Sequence, residues 1–212
     1  MPRPPALLLI RHAQAEHLVG DLTGGSTDSE LTVLGLRQAR LLAARLASEL
    51  ENRPVHLGAG PLIRARHAAG IIGDALGVEA RIYSELADLH IGEATGLNRD
   101  QARKIFTPPS EPKLEWRPYP GAENWSEFAR RVRGFIQGFQ SERTMILVTH
   151  RAVIEIIIQW WLGLEVDCRV SFDTAPASLS VLRINHWGER TLERLNDCAH
   201  LHAAGMPDRL RL

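Results

Sequence analysis

Two short apolar runs each end on a histidine. Ala6–Ile10 stops at Arg11-His12, and Met145–Thr149 stops at His150. A continuous apolar run of this length suits a strand covered on both faces. Such strands need helices above and below them, so a chain built on them folds in α/β layers. In sheets of this kind, sites form beyond the carboxyl ends of the strands. His12 and His150 both stand there. Arg64 stands just beyond the end of a third strand-like run, Val55–Ala59.

The remaining pattern fills in the layers. Ala13 to Ser29 is polar and rich in Gly and Thr, and reads as a loop. Leu34, Ala39, Leu42, Ala43 and Leu46 give helical spacing over Leu31–Leu50. Pro61 marks a helix start, and the spacing predicts a helix over Leu62–Leu76. Ala80–Tyr83 reads as a short strand, Leu86–Gly96 as a turn-rich link, and Arg99–Phe106 as a helix. Thr107–Pro120 is a Pro-rich surface segment. Phe128, Val132, Phe135, Ile136 and Phe139 form one face of a helix over Asn124–Gln140. Val153–Leu162 is an apolar helix closed by Gly163, with Trp160 and Trp161 expected in the core. Leu179–Ile184 and Thr191–Leu195 flank a hairpin turn, and the tail after Asp197 reads as frayed. The expected fold is one domain over residues 1–212, a three-layer α/β/α sandwich with a mostly parallel central sheet.

Charge and composition exclude several function classes. Lys plus Arg equals Asp plus Glu at 25 each, so no overall field draws the chain to nucleic acid or a membrane surface. No stretch reaches the ~18 apolar residues of a membrane span. The apolar run after Pro5 is shorter than the core of a signal peptide, so the chain is expected in the cytoplasm. Cys168 and Cys198 lack metal-ligand spacing and read as buried or idle thiols. His17, His56, His90, His186, His200 and His202 show no ligand pattern either, and read as structural or solvent-facing. Arg66 and His67 read as surface residues of a helix.

The strand-end residues carry a coherent chemistry. A neutral imidazole is a good nucleophile toward phosphorus. A phosphoryl group in transfer spreads negative charge over its oxygens. Arginine's planar fork suits that charge, so Arg11, Arg64 and His150 are candidates for a cradle. A leaving alkoxide needs a proton, and the link Leu86–Gly96 supplies Asp88, with Glu85 and Glu93 as rivals. The loop Thr23-Gly24-Gly25-Ser26-Thr27 offers amides and hydroxyls for further substrate contacts.

These residues also carry a resemblance. Leu9-Ile10-Arg11-His12-Ala13-Gln14 resembles the Arg-His-Gly signature of the histidine phosphatase superfamily, the phosphoglycerate mutase-like proteins. Gly60-Pro61-Leu62-Ile63-Arg64-Ala65 is similar to its second arginine motif. Leu86-Ala87-Asp88-Leu89-His90-Ile91-Gly92 stands where that family has its acid motif. Pro120-Gly121-Ala122-Glu123-Asn124 and Leu147-Val148-Thr149-His150 resemble two later motifs, in the same order. The match covers nearly the whole chain.

The resemblance implies a phosphomonoester phosphatase working through a phosphohistidine on His12. Arg11, Arg64 and a protonated His150 would hold the phosphoryl oxygens, and Asp88 would protonate the leaving oxygen. It implies a small phosphorylated substrate and neither a metal nor an organic cofactor. The oligomeric state, monomer or homodimer, stays open. The alternatives are a phosphoglycerate mutase-type phosphotransferase and a weakly active or non-catalytic phospho-ligand or protein-binding module. The short segment Leu97–Tyr119 favours the phosphatase, because less cover lets water in. Three positions depart from the family pattern: Asp88 replaces Glu, Ala13 replaces Gly, and Arg151 follows His150 where Gly is common. Arg151 either contacts substrate or points to solvent. Glu123 either reaches the site or caps the following helix.

Overall fold

Strand β1 (Ala6–Arg11) sends alternate side chains to opposite faces of the sheet, and both faces are covered. Leu8 and Ile10 enter one apolar core and Leu9 the other. Strand β4 (Thr144–Thr149) does the same, with Ile146 and Val148 on one side and Met145 and Leu147 on the other. That two-sided burial explains why both runs are apolar without alternation.

The computed structural model describes residues 6–51, 53–138, 143–167 and 169–206. The other strands are β2 (Val55–Ala59), β3 (Ala80–Ile82), β5 (Leu179–Ile184) and β6 (Arg190–Asp197). The helices are α1 (Glu16–Val19), α2 (Val33–Glu49), α3 (Ile63–Leu76), α4 (Arg99–Lys104), α5 (Trp125–Gln137), α6 (Arg151–Trp161) and α7 (Ala199–His202). The six strands form one sheet in the order β3-β2-β4-β1-β5-β6. The first four are mutually parallel, and β5 and β6 add an antiparallel edge. Residues of α2, α3 and α7 fill one core, and those of α5 and α6 fill the other, which makes three layers.

Local chemistry sets the helix starts. The Thr32 hydroxyl accepts from the Gly35 N–H and caps α2. Asn124 and Glu127 form a capping box at α5. Gly35 lets α2 press on the loop that follows β1: a Cβ there would stand 2.0 Å from the Gln14 carbonyl oxygen. This contact seats the loop that carries His12.

Several expectations need correction. The stretch after His12 is not all loop, because Glu16–Val19 forms the short helix α1. The segment after Asp197 is not frayed: α7 packs on α2, with Leu201 fully buried and Cys198 buried beside it. Both helices have four residues, too few to display a 3.6-residue period. Trp160 and Trp161 are half-buried at the edge of their core, with Arg190 stacked over both rings at 5.1 and 5.5 Å. The end of the expected helix at Gln140, with Phe139, and Cys168 lie outside the described residues. Among the described residues no helix is long and apolar enough to cross a membrane.

Candidate active site

The parallel strands β1, β2 and β4 deliver their carboxyl ends to one place. Arg11 ends β1 and His12 follows it. His150 follows β4 and forms the N-cap of α6. Arg64 lies in the first turn of α3, just after β2. The His12 and His150 rings stand 5.1 Å apart, centre to centre. Arg64, fully buried, reaches between these elements and donates from Nε to His12 Nε2 across 3.2 Å.

His12 is held in one tautomer. Its Nδ1 lies 2.8 Å from the Ala13 carbonyl, an acceptor only, so Nδ1 carries the proton. Nε2 therefore presents its lone pair to the site. Burial, then His150, Arg64 and Arg11, push the His12 imidazole well below its ordinary value. The ring is neutral and nucleophilic. Ala13 accordingly fills the family's Gly position without disturbing this bond, and is itself buried.

Three cation-capable groups surround it. The Arg64 guanidinium also donates to the Thr27 carbonyl at 2.7 Å and the Gly25 carbonyl at 2.8 Å, which fixes its plane. Arg11 donates to the Thr174 carbonyl, and its Nε has no partner. Burial and Arg151 bring Arg11 down to about 10, still charged at neutral pH. Both ring nitrogens of the fully buried His150 lack a hydrogen-bond partner. Burial, opposed by Asp88 and reinforced by Arg64, takes His150 to about 3. His150 is therefore neutral at neutral pH, and the protonated form expected while the site works needs an anion beside it. An incoming phosphoryl dianion supplies the charge that favours its protonation.

Among the three carboxyls of the 84–96 link, Asp88 alone reaches this cluster. Its Oδ2 stands 3.3 Å from Arg64 Nη2 and 3.7 Å from His150 Nδ1. Burial raises the carboxyl and Arg64, the Leu89 N–H and Arg11 pull it down; Asp88 lies below the usual carboxylate range. Glu85 accepts from the Ser84 hydroxyl and Glu93 is exposed; neither lines the cavity over His12. The Asp88 backbone is tied from behind. Arg131 donates to the carbonyls of Glu85, Ala87 and Asp88, and is itself gripped by both carboxylate oxygens of Glu123. Glu123 is therefore neither a cap nor a site residue: Asn124 caps α5, and Glu123 orients Arg131.

The cavity over His12 measures about 490 Å³. Arg11, His12, Asp88, Thr23, Gly24 and Arg151 line it, as do several residues that the sequence did not single out: His17, Arg99, Tyr119 and Trp125. Gly24 and Gly25 bring backbone to the wall. The Thr23 hydroxyl, a possible substrate contact, also lies 2.8 Å from the Ala94 carbonyl and 3.1 Å from the Leu97 carbonyl and stitches its loop to the acid link. The Arg151 side chain is half exposed and stands 3.9 Å from Glu155, so it lies at the rim. Arg66 and His67 are exposed on α3. His17 was read as structural or solvent-facing, yet it is buried with its ring 5.8 Å from that of His12. It sits on the four-residue helix α1, where no periodicity could have flagged it. Among the described residues no group of three His, Cys, Asp or Glu side chains could hold a metal ion.

Known proteins are similar to this chain in sequence and in fold. A protein of Hydrogenobacter thermophilus named "Putative phosphoserine phosphatase 2" is 30% identical over 209 residues, covering 92% of this chain and 96% of its own. Glucosyl-3-phosphoglycerate phosphatase of Mycolicibacterium vanbaalenii is 28% identical, covering 76% of each chain. A 2,3-bisphosphoglycerate-dependent phosphoglycerate mutase of Nitrobacter winogradskyi is 31% identical over 140 residues, 62% of this chain and 66% of that one. The solved structure of mycobacterial glucosyl-3-phosphoglycerate phosphatase superposes with a TM-score of 0.72 at 26% identity, over 92% of this chain and 99% of that chain. The phosphoserine phosphatase of Entamoeba histolytica, at 21% identity, shares the fold with a TM-score of 0.75, over 93% and 99% of the two chains. Residues 7–198, which span both histidines, both arginines and the acid link, match the histidine phosphatase superfamily (branch 1), and the chain belongs to that family.

Proposed function

We propose that this chain is a phosphomonoester phosphatase whose turnover runs through a phosphohistidine on His12. One observation carries the reading: a neutral His12 with its proton parked on Nδ1 and its Nε2 lone pair facing Arg64. His12 Nε2 forms the bond to phosphorus while the ester P–O bond breaks in line. Arg11, Arg64 and His150 hold the three equatorial oxygens. The leaving oxygen takes a proton from Asp88. That carboxyl is held ionised by its neighbours, and a dianionic phosphoryl beside it raises its proton affinity on binding. Water then attacks phosphorus, gives its proton back to Asp88, and releases orthophosphate with neutral His12.

The rim narrows the substrate. Arg99 and Arg151 place two further cations on the cavity wall, and Leu18, Leu22, Tyr119 and Trp125 make the rest of that wall apolar. A small phosphomonoester that also bears a carboxylate fits this pairing. Phosphoserine and the phosphoglycerates named for the relatives share that chemistry. The reading assigns the protein to the cytoplasm.

Acid-quench labelling tests the mechanism. An acid-labile phosphoenzyme should form with substrate and vanish in His12→Ala. A phosphate-release panel of esters with and without a carboxylate tests the substrate class. Rapid turnover of 3-phosphoglycerate with no phosphate release from any ester would overturn the phosphatase reading in favour of a mutase.

A further inference from the structure

His17 is unused by the mechanism above, yet it occupies the wall of the cavity. It is 6% exposed, its ring is inclined 52° to that of His12, and its Cδ2 stands 3.7 Å from where a Gly24 Cβ would be. Its Nδ1 lies 2.7 Å from the hydroxyl oxygen of Ser29, also buried. Among the described residues Nε2 has no hydrogen-bond partner. Unlike both nitrogens of His150, it is not sealed off from solvent. The Nε2 edge therefore opens on the cavity, where His17 is a lining residue.

Ser29 can select the tautomer. When its hydroxyl donates to His17 Nδ1, 2.7 Å away, the ring's own proton sits on Nε2. Burial and Arg64 lower His17 to about 4, so the ring stays neutral at neutral pH and adds no charge to the pocket. In that tautomer His17 presents an uncharged N–H at the cavity wall, where a phosphoryl group offers acceptor oxygens.

We infer that His17, oriented by Ser29, donates a hydrogen bond from Nε2–H to the phosphoryl group transferred to His12. This rests on the phosphatase reading and adds a donor that the strand-end cradle does not include. A neutral donor suits the position, because a further cation beside His12 would cost more to bury than it returned. Ser29 acts as the positioning residue, touching His17 and not the substrate.

Nitrogen-15 histidine NMR of the full chain reads this contact without a substitution. On adding orthovanadate, the His17 Nε2–H signal should shift and become protected from solvent exchange, while the Nδ1 signal keeps its hydrogen-bonded shift. An unchanged His17 ring overturns the assignment. Kinetics give a second arm. His17→Phe should lower kcat/KM about ten- to a hundredfold and weaken vanadate inhibition in parallel. His17→Gln, whose amide also donates, should recover part of both, and Ser29→Ala should lose a few-fold. A folded His17→Phe with wild-type kcat/KM and vanadate affinity would sink the proposal. Absence of any acid-labile phosphoenzyme in the wild type would instead sink the reading it rests on.

Discussion

Arg64 Nε donates to His12 Nε2 across 3.2 Å, so the lone pair proposed to attack phosphorus is covered by the guanidinium proposed to hold the phosphoryl oxygens. The same guanidinium satisfies the carbonyls of Thr27 and Gly25. One side chain therefore serves the chemistry and the shape of the substrate loop together. Arg64→Met should lower kcat/KM by about 10²- to 10³-fold, the usual loss for a transition-state donor. It should also lower stability, since each orphaned buried carbonyl costs about 1–3 kcal/mol. Kinetics and thermal unfolding on the same sample check both effects. A kcat/KM within tenfold of wild type would remove Arg64 from the cradle.

The histidines of the pocket should not titrate at the ordinary imidazole value of about 6.5. Burial lowers His12 well below it, His17 to about 4 and His150 to about 3. A lowered value means that the neutral form persists as pH falls through 6.5. Histidine spectra of the ligand-free protein should show all three rings neutral from pH 8 down to roughly 5.5. With vanadate bound, His150 should gain a proton at a higher pH than in the empty site. A free-enzyme His12 that titrates near 6.5 would contradict the burial argument.

Asp88 is the proposed proton donor, and Arg131 its proposed mount. Asp88→Asn should cut turnover of alkyl phosphates by about 10²- to 10⁴-fold, and p-nitrophenyl phosphate far less, because a good leaving group needs no acid. Arg131→Met releases the carbonyls of Glu85, Ala87 and Asp88, so it should produce a milder form of the same leaving-group pattern. Equal losses on both esters in Asp88→Asn would show that another group gives the proton. Equal losses in Arg131→Met would mark it as structural only.

Far from the site, Asp197 ties β6 to α2 through Arg45, which also pairs with Glu49. The Arg45 hydrogen bond lowers the Asp197 carboxyl to about 2, against a burial effect that would raise it. A depressed carboxyl contributes stability that is full above its unfolded value of about 3.9. That contribution is lost as pH falls toward the folded value of about 2. Asp197→Asn should therefore cost on the order of 1 kcal/mol at neutral pH, a partly exposed pair being screened. It should also flatten the fall in stability below pH 4. Urea unfolding at several pH values measures it; an unaltered acid limb would show that the pair carries no weight.

How much was legible in advance depended on the range of the interaction. The runs Ala6–Ile10, Val55–Ala59 and Met145–Thr149 announced buried parallel strands, because two-sided burial demands uninterrupted apolar residues. The polar residue at each end then marked where the cavity would form. The long helices were equally plain from their 3.6-residue spacing. Helices α1 and α7 were not, since four residues hold barely one turn.

The sequence by itself determined the layered fold, the strand ends at His12 and His150, and the family to which the chain belongs. Tertiary structure decided the rest. Three carboxyls lie within a few residues of one another, and only packing brings Asp88 to 3.3 Å from Arg64 while leaving Glu85 and Glu93 outside. It spends the Thr23 hydroxyl on the acid link and turns Glu123 toward Arg131. It also brings His17 to the nucleophile and fixes the Nδ1 proton of His12. The physical reason is common to all of these. Periodicity reports which face of an element is buried, whereas a hydrogen bond depends on where two distant segments place single atoms, to within a few tenths of an ångström.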